Sequence, residues 1–433
     1  CEGLAHAHDD EEDVVLARRL LRRRAAKAWK GFKQAAVSTF AFVETIGLGF
    51  LIKIASNALA TARPAPDPRT DGLDAASVAR LSPKLEAREV AGRETGFPLP
   101  LRIDSAETVL RAMSMTGNFA RLVVLAGHGS TTVNNPHAAG LDCGACGGHT
   151  GEANARVAAA ILNDADVRAA LPERGIDIPR DTVFVAALHD TTTESVTLYD
   201  ADTGADHAAD LQQLRSWLIA AGAATRRERS QLLGLTADGH LDTAIAMRSR
   251  DWAQVRPEWG LAGCAAFIVA PRSRSLHMNL GGRSFLHDYR WERDPGFKVL
   301  ELIMTAPMVV TNWINMQYYA STVDNKLYGS GDKVLHNVVG GNVGVFEGNG
   351  GDLRIGLPMQ SIHDGERFVH TPLRLSVFIE APRPQIDLVI GKHAVVRQLI
   401  DNEWLHLFHI EPAGAAVSRY RPGGAWQSVD AAH

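Results

Sequence analysis

The sequence predicts an α/β protein with parallel-sheet elements, followed by a glycine-rich α+β region toward the C-terminus. Three observations carry this. Residues 121–126 (RLVVLA) and 182–188 (TVFVAAL) are short apolar runs of the kind found in buried parallel strands. Between them, residues 152–163 (EANARVAAAILN) are alanine-rich and open on an acid, as a helix does. A further apolar run, CAAFIVA at 264–270, reads as another buried strand. Strand, helix and strand in alternation argue for a parallel sheet.

The chain of 433 residues is long enough for two or three domains. Residues 1–62 form a basic amphipathic and apolar helical segment. In it DDEED (9–13) precedes a basic run from Arg18 to Lys33, with Val14, Leu21, Ala25, Ala28 and Phe32 at helical spacing. Residues 35–52 approach the length of a membrane span. Glu44, Gly47 and Gly49 interrupt them and Lys53 closes them. A carboxylate at mid-bilayer is costly, so the expectation is a helix buried against protein or lying at a membrane surface. A proline-rich linker follows at 63–70.

Residues 71–280 are the expected α/β core, with a helix at 105–115 and a polar helical stretch at 205–250. Residues 281–433 are the α+β region. There the glycines of 327–357 suggest turns between short strands, and a helix near 387–403 precedes a weakly structured end.

The net charge is −4, which excludes nucleic acid as a main partner. Four cysteines in this length do not make a disulfide framework. The chain opens on Cys1 with no signal-peptide pattern behind it. The expectation is the C-terminal portion of a longer protein.

The chemistry-bearing residues gather after the first core strand. The loop carries His128, His137, Cys143, Cys146 and His149 among glycines. Imidazole and thiolate are the donors zinc prefers. Read alone, His128, Cys143, Cys146 and His149 could close a tetrahedral structural site, although the outer spacings match no common zinc finger. A structural loop with inert thiols is the other reading. His137, after Pro136, reads as a turn residue. His189 and Asp190 end the second strand, so they could lie at the same sheet edge and orient a ligand or a water.

Gly329-Ser330-Gly331-Asp332-Lys333 lacks the spacing of a phosphate-binding loop. Cys264 reads as a core residue, and His287, His336, His363 and His370 as structural histidines.

The run GHGSTTVNNPHAAGLDCGACGGHTGEANARV resembles the signature of the DabA family, the soluble-type subunits of bacterial inorganic carbon transporters. The likeness continues through DTVFVAALHDTTTE, RPEWGLAGCAAFI and FLHDYRWERDPGFKVLELIMTAPMVVTNWINMQYYASTVDN, and on to YGSGDKVLHNVVGGNVGVFEGNGG. The resemblance implies a β-carbonic-anhydrase-like core, incomplete here, that binds Zn2+. It implies a partner, a membrane cation-channel-like subunit of the DabB type, and CO2 or bicarbonate as cargo. The place implied is the cytoplasmic face of the bacterial inner membrane, as a peripheral protein.

In that family zinc is held by a Cys and an Asp of an upstream Cys-x-Asp-x-Arg motif and by a downstream His and Cys. The downstream pair matches His128 and Cys143; Cys146 and His149 are then neighbours. No Cys-x-Asp-x-Arg occurs in this sequence. Carbonic-anhydrase-like CO2 hydration is therefore expected only of the full-length protein with its membrane partner. Two rivals stand beside it: a non-catalytic, zinc-stabilised scaffold that regulates a membrane partner, and a zinc hydrolase using Asp190 as base.

Overall fold

The computed structural model describes residues 2–4, 9–34, 38–59, 61, 70–90, 92–131, 150–201, 203–237, 239–249, 260–329, 337–339, 344–346, 356–357, 359–412, 414 and 416–429. It divides into two compact units. The first is Cys1–Ile103, Ala120–Ala169 and Asp181–Pro257; the second is Asp104–Phe119, Ala170–Arg180 and Glu258–His433.

The first unit begins with helix α1 (Asp9–Gln34). The apolar segment after it is not one helix. It splits into α2 (Ser38–Ile46), a 3-10 turn over Gly47–Phe50, and α3 (Leu51–Ala58). The break falls at the two glycines, where helix propensity is weakest. An aromatic cluster ties α1 to α2 and the 3-10 turn: Phe42 is buried, with Trp29, Phe32 and Phe50 around it at centroid distances of 5.8–6.1 Å. Much of the basic run faces acids of its own chain. Arg19 and Arg22 donate to the backbone carbonyls of Asp71 and Gly72, Arg23 pairs with Asp71 at 3.4 Å, and Arg18 stands 3.8 Å from Asp74.

The largest sheet described in this unit has three strands, β1 (Leu122–Gly129), β2 (Val183–Asp190) and β3 (Ser195–Tyr199), in that order. β1 and β2 are parallel and β3 is antiparallel to β2. Helix α4 (Glu152–Asn163) lies in the β1–β2 connection and packs on both strands. The expected alternation is thus present, with an antiparallel strand added. Val185, Ala187, Leu198 and Leu211 form the buried centre, the last from the long helix α5 (Ala208–Ser230).

The second unit is built on a six-stranded sheet. In chain order its strands are β4 (Ala266–Ala270), β5 (Ser284–Asp288), β6 (Leu375–Glu380), β7 (Leu405–Ile410), β8 (Val417–Arg421) and β9 (Ala425–Val429). In space they run β9-β8-β7-β6-β4-β5. The four strands from β7 to β5 pair in parallel, and β8 and β9 are antiparallel.

Helices α6 (Lys298–Thr305), α7 (Pro307–Val323), α8 (Arg383–Lys392) and α9 (Ala394–Asp401) belong to this unit. Leu300, Ile303, Met304, Val377, Ile379, Ile386 and Leu407 share its core. Lys298–Val323 is long and apolar enough to cross a membrane by length and composition. It is two helices meeting at Ala306, and Leu300, Ile303, Met304 and Met308 of it are core residues.

The expectation of a weakly structured end is corrected here. Residues 405–429 form three strands of the main sheet. In β7 the inward positions are Leu405, Leu407 and His409, so a histidine occupies a core position and masks the alternation. Its Nε2 donates to the Ala381 carbonyl at 2.9 Å. The β8–β9 turn uses Gly423 and Gly424 at φ of 91° and 99°, which side-chain-bearing residues rarely adopt. In the glycine-rich region the described residues include an antiparallel pair, Asn337–Val339 with Gly344–Phe346, as the turn-and-short-strand reading expects.

His370 is buried and its Nδ1 accepts from the Gly263 N–H at 2.9 Å. A proton on Nδ1 would set two donors face to face, and burial already pushes the imidazole down to about 4. Unfolded, this group protonates near its ordinary 6.5; folded, only near 4. The stability it confers is therefore complete above pH 6.5 and is lost as pH falls toward 4, by roughly 3 kcal/mol. Denaturation of the wild type against His370→Gln across this range should show that difference.

Candidate functional site

The C-terminal ends of β1 and β2 form the site. His128 is half-buried near the end of β1, and its register partner on β2 is His189; Gly129 pairs with Asp190. The shared sheet edge expected for the two strand ends is therefore present. Cys143, Cys146, His137 and His149 lie outside the described residues, as does His336.

The described residues on either side of 132–149 are held together, Thr131 following β1 and Thr150–Gly151 preceding α4. The Gly151 N–H donates to the His128 carbonyl at 2.7 Å, which stitches the returning chain to β1. This approach needs glycines. A Cβ at Gly127 would lie 2.4 Å from the Gly151 oxygen, and one at Gly151 would lie 2.9 Å from the Gly127 Cα. A Cβ at Gly129 would sit 2.7 Å from the Thr150 methyl. Gly151 is also the residue from which α4 starts.

The end of β2 turns sharply through Thr191–Glu194. The Asp190 carboxylate organises this turn. It accepts from the Thr131 hydroxyl at 2.5 Å and from the backbone N–H groups of Thr192 and Thr193 at 2.9 and 3.4 Å. A carboxylate so occupied caps a turn; the hydrolase reading required it as a free base. Thr191 donates both its N–H and its hydroxyl to the Gly129 carbonyl, tying the turn to β1.

His189 is held from below. Its Nε2 is 2.7 Å from Glu194 Oε2, and the other carboxylate oxygen takes a hydrogen bond from Arg229 Nη1 at 2.5 Å. Glu194 sits at φ 59°, a left-handed backbone that a non-glycine residue adopts at a cost. The hydrogen bond that His189 donates to the Glu194 carboxylate raises the His189 pKa above its ordinary value, against the opposing effect of burial. Burial pushes the Glu194 carboxyl up, but the hydrogen bonds and charges of His189 and Arg229 outweigh it and bring the group below the usual range.

One face of α5 supplies the support. Gly222 permits close approach to the Glu194 carbonyl, where a Cβ would meet the oxygen at 2.5 Å. Arg226 donates to the Thr193 carbonyl, and Arg229 to the Thr191 carbonyl. Sequence reasoning missed Glu194 and Arg229. Nothing in a Thr-Thr-Thr-Glu turn or in a basic helix end singles them out; only the folded geometry joins them.

The remaining candidates are structural. Cys264 is buried beside Asn315, and burial pushes its thiol up to about 11. His287 Nε2 donates to the Ala112 carbonyl, and His363 Nδ1 accepts from the Gly365 N–H. Among the described residues, no group of three or more His, Cys, Asp or Glu side chains is placed to hold a metal.

These features define a mixed α/β protein in which glycines bring the chain at Thr150–Gly151 back against the end of a parallel strand pair. The family model described as "Probable inorganic carbon transporter subunit DabA" matches residues 3–405. The chain belongs to the DabA family. It is 60% identical over 431 residues to "Probable inorganic carbon transporter subunit DabA 2" of Bradyrhizobium sp. strain BTAi1, covering 99% of this chain and 51% of that one. It is 57% identical over 427 residues to the DabA subunit of Roseiflexus sp. strain RS-1, covering 98% and 51%. The chain thus spans about half the length of these curated relatives. No solved structure matches it.

Replacing Gly127 by Ala should cost about 3 kcal/mol through overpacking against the Gly151 backbone. A urea midpoint that stays at the wild-type value would contradict the closed loop base.

Proposed function

We propose that this chain supplies two ligands, His128 and Cys143, to a zinc site of β-carbonic-anhydrase type. The subunit would take part in inorganic carbon uptake, converting CO2 to bicarbonate vectorially beside a cation-translocating membrane subunit. The family's name supports the inorganic carbon role. The observation that carries the site is the loop closure. Cys143 stands seven residues before Thr150, and Thr150 packs over Gly129, so the intervening chain can reach back to His128.

The donor chemistry fits. A neutral imidazole nitrogen from His128 and a thiolate from Cys143 are ligands that zinc accepts. Two donors leave room for ligands from elsewhere in the protein. When bound, zinc lowers the pKa of a coordinated water from about 15.7 to roughly 7, and so supplies the nucleophile that CO2 hydration requires. His128 would be set for its part by β1, whose register with β2 and stitch to Gly151 fix the backbone from which the ring projects. The Glu194–Arg229 clamp fixes the neighbouring His189 in the same way.

Zinc titration of the chain tests this against the closed four-ligand reading. Weak binding is expected, lost in His128→Ala and Cys143→Ser and kept in Cys146→Ser and His149→Ala. Tight stoichiometric zinc, lost equally in all four variants, would replace the proposal with a structural His-Cys-Cys-His site.

The membrane-facing part of the proposal rests on α2, α3 and the turn between them. Val43, Leu51, Ile54 and Leu59 are exposed there, and Leu48 and Ile52 are 83% and 78% exposed. An apolar patch of this extent marks an interaction surface. We assign it to the membrane subunit or the adjoining lipid at the cytoplasmic face, with the protein peripheral. A Leu48→Asp/Ile52→Asp double variant should keep its folded circular dichroism and lose co-sedimentation with membranes that contain the partner; retained co-sedimentation would remove this surface from consideration.

A further inference from the structure

The first unit holds a cavity of about 800 Å³, away from His128. It is lined by α4 from Glu152 to Asn163, the start of β2 and the end of β3, with a rim at 78–83. Its Arg168 end lies at the N-terminal end of the parallel strands, beside Val183 and Phe184, whereas His128 and His189 lie at the C-terminal end. The cavity exists because β3 stops short. Its pairing with β2 begins at Ala186–Tyr199, and the next backbone rung, Phe184, is taken by a side chain. Asn163 donates its amide to the Phe184 carbonyl at 2.7 Å and accepts the Phe184 N–H at 3.0 Å.

Six charged side chains line the space: Arg80, Glu152, Arg156, Asp164, Arg168 and Asp200. Five have an opposite charge. Arg80 pairs with Glu11, Arg156 with Glu152 at 3.0 Å, Asp164 with Arg102, and Asp200 with Arg215 at 2.6 Å. Arg168 has no carboxylate among the described residues. Its Nε donates to the Leu162 carbonyl at 2.8 Å and its Nη2 to the Thr182 carbonyl at 2.6 Å. These neutral acceptors hold the guanidinium in place without cancelling its charge, and Nη1 is left over. The Phe184 ring lies beneath it at 5.8 Å. Burial lowers its pKa, the signature of a charge in poor solvent without an anion opposite.

We propose that this cavity is a binding site for an organic anion of metabolite size, anchored through its carboxylate or phosphate group on Arg168. A positioned guanidinium is the usual receptor for such groups. The volume falls in the range of small-molecule pockets, well beyond the size of bicarbonate. Ala160, Val183 and Leu198 give the ligand apolar walls, and the Tyr199 ring lies under Arg156 at 4.7 Å. The proposal does not rest on the zinc reading, since its anchor Arg168 lies beyond the far end of α4 from Gly151, the residue bonded to His128.

The test is calorimetric titration of the chain with citrate, glucose 6-phosphate and bicarbonate as probes. Citrate and glucose 6-phosphate represent the carboxylate and phosphate sources. At least one should bind at sub-millimolar concentration, with bicarbonate at least tenfold weaker. Arg168→Gln should abolish binding. Because Arg168 also ties two backbone carbonyls, Ala160→Phe serves as a second variant: it fills the space without touching the guanidinium and should weaken binding at least tenfold. Binding that survives Ala160→Phe, or no binding of either organic probe by the wild type, overturns the proposal.

Discussion

The contact on which the site depends is a backbone-to-backbone approach, Gly127 and His128 against Gly151. Because neither glycine carries a Cβ, the Gly151 N–H can reach the His128 carbonyl at 2.7 Å. That one hydrogen bond does two things. It sets the point from which α4 departs, and it holds the chain on either side of residues 132–149 together. Glycine is entropically unfavourable in ordered structure, so three such residues around one strand end represent a concentrated cost. The return is a loop whose ends cannot separate while the sheet is intact.

Charge is arranged on the same local principle. The basic helix α1 would suit an anionic surface if its charges were free, yet Arg18, Arg19, Arg22 and Arg23 address the turn at 71–74. In the turn after β2, Glu194 sits between His189 and Arg229, so a half-buried carboxylate is balanced from both sides. Such an arrangement contributes little net stability compared with apolar packing, but removing one member leaves a partly desolvated charge uncompensated. Its effect is to hold His189 in one orientation beside β1.

The sequence disclosed the local elements well and the long-range ones poorly. Residues 121–126, 152–163 and 182–188 are legible because apolar runs and an alanine-rich helix each follow one periodicity. The placement of His189 and Asp190 at the edge shared with His128 followed from reading both strands as parallel. The final three strands were hidden because β7 carries histidine at an inward position, β8 is polar and only partly buried, and β9 is a polar edge strand. In the apolar stretch at 35–52 Gly47 and Gly49 were visible as interruptions, but not that they divide it into two helices joined by a 3-10 turn. Of the candidate site, His128 and its loop were visible from residue type alone. The Glu194–Arg229 clamp and the isolated charge of Arg168 were not, since each is defined by partners remote in the chain.

Asn163 has one more consequence. By bonding both backbone groups of Phe184, it occupies the rung that β3 would use if it slid along its neighbour. A slip of β3 toward the start of β2 is thereby blocked, and so is recruitment of a foreign strand at that position. A single amide side chain at the end of a helix thus acts as a register stop, protecting this unit from mispairing during assembly.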